Sequence, residues 1–386
     1  MIFLSGGSSE VQLRFDSIGI GDPQPYLGAL RSSAARRHRE SERLQPNEFL
    51  DEDDEFPAYG PGIKDLLGSR MPTQSEFDLA FKKVRYTNRW WYKDIPDNYS
   101  SESYEHVCFF WENEACPWTS KNKCGEFSLN LAFTMPRPKG PTTWRLIIVF
   151  QSLHLAISKI LEERLKMMIM LYLESHSHMI LKKRSLRGDI LAIQLVLDDL
   201  RQQKGTGMYM KLRFDYEYIS GNIQHEFLWA TLASLEINEK SLRLIKALFK
   251  DAFTTTMFAN DVGRDVRLTR GIRQGSPLTP VLNLLAKEPL MAMLKDGFEE
   301  GFIKRLNLGA GTIIDVDYSF FPDDIGLFFQ VDESSFTHVR TIIQLYEIES
   351  GSTFNYQKST IYMLGLNDAP DWVKQTGCER IFSVEL

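Results

Sequence analysis

The sequence predicts an α+β fold, a mixed and largely antiparallel sheet covered by helices on one face. Three observations predict it. Short aromatic and aliphatic runs bounded by turn residues read as strands, and longer segments with apolar residues three and four apart read as amphipathic helices. The two kinds also come in an irregular order, strand, helices, short strands, helix, hairpin, helix, strand, which gathers helices on one side of a sheet. With 386 residues and 43% hydrophobic content the chain can form two or three domains around a sizeable core. It contains no internal repeat.

Helical periodicity covers residues 148–172 and 189–203. The run from Met208 to Glu217 follows as a strand that carries a carboxylate, Asp215, near its end. Helices are predicted over 225–237 and 240–251, short strands near 254–259 and 264–269, and a helix over 280–297. A hairpin occupies 313–330, a helix 333–349 and a short strand 360–363.

The hairpin places Asp323 and Asp324 between the apolar aromatic segments of Tyr318–Phe329. Neighbouring strand residues point to opposite faces, so the two acids can work together only if a tight turn separates the flanking segments. Anionic groups crowded there repel one another unless a divalent cation neutralises them, and hard oxygen donors suit magnesium or manganese. Asp215 is the natural third ligand, and the set points to metal-dependent phosphoryl transfer. Aspartate used only as a turn residue is the alternative. Between the acidic sites lies the loop Leu268–Pro280, with Arg270, Gly271, Arg273, Gln274 and Gly275. Its glycines permit backbone geometries and close approaches that a side chain blocks, and its arginines offer forked donors to phosphates or bases.

In this order the motifs closely resemble those of the reverse transcriptases of non-long-terminal-repeat, LINE-type retrotransposons. The family's pattern is a strand ending in Asp, an Arg-Gly-x-Arg-Gln-Gly-x-Pro-Leu-Ser-Pro loop, an aromatic-x-Asp-Asp hairpin and then Ser-Gly-x-x-x-Asn-x-x-Lys-Ser. The last of these stands at Ser350–Ser359. Met135–Ile147 resembles the finger segment that ends Trp-Arg-Pro-Ile, and Lys183-Arg184-Ser185-Leu186 the Gly-Arg-Ser-Ile motif. His225–Leu228 and Glu288-Pro289-Leu290 fall at the family's spacing, and the resemblance covers residues 72–386.

The resemblance implies a right-hand polymerase with palm and fingers, acting on an RNA template, a DNA primer and deoxynucleoside triphosphates. Asp215, Asp323 and Asp324 would hold two Mg2+ or Mn2+ ions about 3.5–4 Å apart, which clamp the attacking and leaving oxygens. The arginine loop would position the template–nucleotide pair, because such transfer relies on positioning and electrostatic stabilisation. Lys358 would protonate or neutralise the pyrophosphate leaving group, with an ordinary solvated lysine as the alternative. Arg145 and Arg184 would contact the triphosphate, or else be ordinary surface arginines.

The departures matter as much as the matches. Five residues after Asp215, where the family carries an aromatic that blocks the ribose 2′-hydroxyl, stands Ser220, inside an Ile219-Ser220-Gly221 stretch that also lacks a second carboxylate. Pro322 precedes the Asp pair; it fixes φ near −65° and donates no hydrogen bond, whereas two-residue hairpin turns want positive φ at their first central position. Lys183 replaces Gly, Leu146 replaces Pro and Asn283 replaces an aromatic. The pattern predicts a degenerate copy with impaired or lost activity; a non-catalytic RNA-binding remnant is the alternative.

Residues 1–120 hold 13 Lys and Arg against 20 Asp and Glu, and the remainder 32 against 31, so the net charge of −6 comes from the first part. The run Asp51–Glu55 predicts a poorly ordered acidic segment over 1–71. The near-neutral remainder is less basic than nucleic-acid binding leads one to expect, although Lys182, Lys183, Arg184, Arg187, Arg201 and Lys204 can form a local basic groove or simply a charged helix face. Residues 72–205 are read as fingers, 206–364 as palm and 365–386 as the start of a largely missing thumb. Cys108, Cys116, Cys124 and Cys378 lack zinc spacing, and reduced thiols predict an intracellular protein, nuclear or cytoplasmic. The apolar stretches 146–160 and 167–173 are broken by polar residues before they reach a membrane span's length.

Overall fold

The computed structural model describes residues 70–87, 99–114, 131–138, 144–150, 152–172, 186–213, 222–235, 237–258, 261–307, 317–320, 324–375, 378 and 380–384. In chain order the elements are α1 (Gln74–Thr87), α2 (Tyr99–Asn113), β1 (Leu131–Pro138), β2 (Trp144–Phe150), α3 (Ser152–Tyr172), α4 (Leu186–Gln203), β3 (Gly207–Arg213), α5 (His225–Ser234) and α6 (Glu239–Phe249). They continue with β4 (Phe253–Phe258), β5 (Asp261–Arg267), α7 (Thr279–Glu299), β6 (Tyr318–Phe320), β7 (Asp324–Phe329), α8 (Glu333–Ser350), β8 (Thr360–Leu364), α9 (Asp371–Lys374) and β9 (Arg380–Val384). The chain is mixed α and β, and its strands form two sheets rather than one. It divides into two compact units, one taking its described residues from Tyr172–Thr231 and Asn283–Leu386, the other from Gln45–Leu171 and Leu232–Leu282.

In the second unit the sheet order is β2-β1-β4-β5, with β1 antiparallel to β2 and parallel to β4. Proline 136 and proline 138 lie in β1 but past Thr134, where its pairing with β4 ends, so neither is asked for an N–H on that side. The predicted helix start at 148 is corrected: Ile148, Val149 and Phe150 close β2, and the helix begins at Ser152. The apolar run continues through the boundary, so periodicity could not find it. On α3, Leu153, Leu155, Ala156, Ile157, Ile160 and Leu161 are all buried, while Lys159, Glu162, Glu163 and Lys166 pair with one another along the helix.

Helix α1 begins with a capping box. The Glu76 N–H donates to Thr73 Oγ1 at 3.2 Å, and the Thr73 N–H donates back to Glu76 Oε2 at 2.9 Å. The same carboxylate takes the Arg164 fork, Nε at 3.2 Å and Nη2 at 3.1 Å, while Arg164 lies 5.1 Å from the Trp111 ring centroid. Burial on its own pushes the Glu76 carboxyl up, but the Thr73 N–H and the Arg164 guanidinium outweigh it and hold the group below the usual range.

In the first unit the sheet order is β6-β7-β3-β8-β9, antiparallel except for the parallel β8–β9 pair. The register puts Met208, Met210 and Leu212 opposite Phe329, Leu327 and Ile325, all buried on one face. The opposite face carries Tyr209, Lys211 and Arg213. There Tyr209 stacks on Phe328 at 4.4 Å and on Tyr362 at 5.7 Å, and Tyr362 stacks on Phe382 at 5.7 Å, a row of rings crossing four strands. Helix α8 is capped by Asp332, whose carboxylate accepts from the Ser335 N–H at 2.8 Å. The Lys304 ammonium, 2.8 Å away, and that N–H bring its carboxyl down to about 2. Gly351 closes the helix at φ 71°, where a Cβ would lie 2.9 Å from Gln224 Cγ and 3.0 Å from the Asn222 carbonyl oxygen.

Candidate functional site

Strand β3 ends at Arg213, two positions before Asp215, and strand β7 begins at Asp324. The antiparallel register sets Arg213 directly across from Asp324. Arg213 Nε donates to Asp324 Oδ1 at 3.0 Å, and Lys211 Nζ lies 3.1 Å from Oδ2. Lys211 stands opposite Gly326, which has no side chain to obstruct its reach toward Asp324. The Asp324 side chain is 14% exposed, against 44% for Arg213 and 39% for Lys211, so a half-sheltered carboxylate is neutralised by two half-exposed cations. Further along the same face, burial first and the Asp324 charge second push the Tyr209 hydroxyl up to about 12.

The turn from α8 to β8 fastens this strand end. The Asn355 N–H donates to the Arg213 carbonyl at 3.0 Å, and the Arg213 N–H donates to Ser359 Oγ at 3.0 Å. Ser359 Oγ in turn donates to the Asn355 carbonyl at 2.8 Å. Within the turn, Glu347 accepts from the Phe354 N–H at 2.7 Å and from the Tyr356 hydroxyl at 3.0 Å. Burial raises the Glu347 carboxyl, and burial beside that carboxylate raises the Tyr356 hydroxyl. The Ser-Gly-x-x-x-Asn-x-x-Lys-Ser pattern is thus a helix cap, a braced turn and a clamp on the strand leading to Asp215. Lys358 is exposed, and its N–H donates to Asn355 Oδ1 at 3.0 Å.

In the other unit the loop before α7 is built on its glycines and one buried arginine. Gly275 has φ 102°, and a Cβ there would stand 2.7 Å from the Ile148 carbonyl oxygen of β2. Gly271 has φ 85°. Arg273 is buried, donates from Nη2 to the Leu248 carbonyl, and lies 4.9 Å and 5.7 Å from the ring centroids of Phe150 and Phe249. Arg270 is exposed and Gln274 half-buried.

The model of the reverse transcriptase (RNA-dependent DNA polymerase) family matches residues 136–379, well over half of the chain. The chain belongs to that family. This reverse transcriptase domain is 22% identical over 218 residues to the Transposon TX1 uncharacterized 149 kDa protein of Xenopus laevis, a match covering 56% of this chain and 16% of that protein. The structure of apo telomerase from Candida tropicalis truncated from its C-terminal domain aligns with 63% of this chain and 51% of that one, at 11% identity and a TM-score of 0.43.

Of the residues the motifs single out in the reverse transcriptase domain, Asp215, Asp323, Arg184, Ser220 and Pro322 lie outside the described residues, as do Cys116 and Cys124. Arg145 is on β2 opposite Arg137. Among the described residues no three His, Cys, Asp or Glu side chains gather into a metal site, and no helix is long and apolar enough to cross a membrane. Asp324 nevertheless fits a divalent ion by its chemistry, since its oxygens are hard donors, although two positive side chains already occupy them. Half-exposed ion pairs of this kind are worth about 1 kcal/mol or less each, so they compete with such an ion without excluding it. Lys211 and Arg213 were not singled out in the sequence, and Asn355 and Ser359 were named only as positions of the Ser350–Ser359 pattern, without their role. Strand parity gave a signal for the first two only in that alternate positions of a strand share a face. Asn355 and Ser359 bond to the Arg213 backbone some 140 positions away, a partner that the local pattern does not name.

Proposed function

We propose that this chain is the reverse transcriptase part of a non-long-terminal-repeat, LINE-type retrotransposon protein, equipped for template-directed DNA synthesis on RNA but impaired in turnover or without it. One observation carries the reading: the register of β3 and β7 brings the strand end leading to Asp215 beside the strand start at Asp324. The ordered motifs and the likeness to a transposon protein support it. Asp215, Asp323 and Asp324 would hold Mg2+ or Mn2+. Bound there, the ions would supply charge stabilisation for the attacking and leaving oxygens of the transferred phosphoryl group.

The chain's own residues do the rest. Arg270, Gly271, Gln274 and Gly275 shape the surface that meets the template–nucleotide pair, with Arg273 as its buried support. Arg145 and Arg184 bind the triphosphate of the incoming deoxynucleotide, and Lys358 hands a proton to the departing pyrophosphate or balances its charge. Ser220 leaves the ribose 2′ position open, so ribonucleotides are poorly rejected. Pro322 and the cations on Asp324 are the sources of impairment.

Primer extension on an RNA template with Mg2+ or Mn2+ tests this. Low incorporation should fall by about a hundredfold in Asp324→Asn, the scale on which a lost electrostatic stabiliser acts. Incorporation that Asp324→Asn leaves unchanged would overturn the reading. The pairing of Asp324 with Lys211 and Arg213 also favours a second reading, an RNA-binding remnant without catalysis, which predicts salt-dependent RNA binding and no incorporation by either protein.

A further inference from the structure

We infer that Arg213 and Lys211 are resident counter-ions of Asp324 that a divalent metal must displace, so the domain binds metal in competition with its own central strand. The inference rests on the proposed polymerase centre and deepens it by naming what sets the metal demand of the site.

Four observations converge. Both oxygens of Asp324 are engaged, Oδ1 by Arg213 Nε at 3.0 Å and Oδ2 by Lys211 Nζ at 3.1 Å. The two cations come from one strand at alternate positions, so both lie on the sheet face that Asp324 shares. The Arg213 backbone is held on both sides, its carbonyl by the Asn355 N–H and its own N–H by Ser359 Oγ, so the residue stays opposite Asp324 whether or not the ion pair is made. The side chains are nonetheless 44% and 39% exposed, which leaves each room to swing off the carboxylate without disturbing the core.

The electrostatics fix the direction of the effect. Two positive groups within hydrogen-bond reach of a carboxylate lower its attraction for a third cation, and they repel a divalent ion about twice as strongly as a monovalent one at the same distance. An ion that does bind must turn Arg213 or Lys211 outward, where both become available to a polyanion. The position thus acts as a gate in which the chain's own charge stands in for the metal until the metal is abundant. Asp332 and Asp317, two of the other acids of this unit paired with basic side chains, have separate partners, Lys304 and Arg305, and take no part.

The experiment measures Mn2+ binding to the full 386-residue chain by electron paramagnetic resonance of the free ion, without nucleotide or nucleic acid. It compares the wild type, Arg213→Gln, the double variant Lys211→Gln/Arg213→Gln, and each of these with Asp324→Asn added. Circular dichroism confirms folding. The double variant should bind Mn2+ about tenfold more tightly than the wild type, within the ordinary range of a coupling between two bound partners, and Arg213→Gln, which removes one of the two cations, about threefold. Adding Asp324→Asn should erase both gains. If Asp324→Asn weakens binding to the wild type while the glutamine variants gain nothing, the counter-ion inference is overturned and the polymerase centre stands. If Asp324→Asn changes Mn2+ binding in no background, the metal site at this strand junction fails and takes the inference with it. A gain that persists without the Asp324 carboxylate also overturns the inference. Should the double variant not fold, the single Arg213→Gln decides, since it removes a side chain that is nearly half exposed.

Discussion

Arg213 and Arg273 show how differently one residue type is used in the two units. Arg273 belongs to the loop motif that points to nucleic acid, yet its guanidinium is buried against two rings and a backbone carbonyl. Arg213 belongs to no motif, yet it lies against an acid of the proposed centre. A motif therefore marks where a site is built without saying which residues touch the ligand. Arg273 serves the loop's shape, while Arg213 bears on its own unit's charge.

Stability measurements can break this contrast. Arg273→Ala should cost about 3 kcal/mol, from a carbonyl left unsatisfied and two lost cation–ring contacts, whereas Arg213→Ala should cost less than about 1 kcal/mol. Equal losses in urea unfolding would erase the distinction. Gly275→Ala sharpens the account of the loop: positive φ and a Cβ 2.7 Å from the Ile148 oxygen predict a loss of about 2 kcal/mol. A neutral result would mean that β2 gives way.

A carboxylate that pairs with a third arginine, Arg164, supplies a control by pH. The Glu76 carboxyl is held below its usual range, so its contribution is complete above the unfolded value of about 4.3 and disappears as pH falls through the lowered folded value. Urea midpoints should therefore drop more steeply below about pH 4.3 in the wild type than in Glu76→Gln, and parallel curves would contradict the pairing with Arg164. The smallest expected effect is a gain. Asn283 is buried, and its Oδ1 has no hydrogen-bond partner among the described residues, so Asn283→Leu should stabilise by about 1 kcal/mol in thermal unfolding.

Much of the five-stranded sheet could be read from the chain. The apolar alternation of β3, the aromatic run of β7, the long period of α8 and the short strand β8 lie within a few residues of their predicted places. The other sheet was harder, because Pro136 and Pro138 argue against a strand and are tolerated only where β1 has no β4 partner on their side. β9 was not foreseen, since Arg380–Val384 gains its order from parallel pairing with β8 and not from a pattern of its own. For the proposed site, sequence named Asp324 and Lys358 but not the cations that face Asp324. Which residues oppose each other is a matter of register between strands more than a hundred positions apart.

The most direct test of a centre at the β3–β7 junction is iron-directed cleavage, in which Fe2+ bound in place of Mg2+ cuts nearby backbone on addition of ascorbate and peroxide. Cuts clustered at the end of β3 and the start of β7, suppressed by excess Mg2+ and lost in Asp324→Asn, are the predicted result. Cleavage confined to other segments, or unaffected by Asp324→Asn, would contradict it.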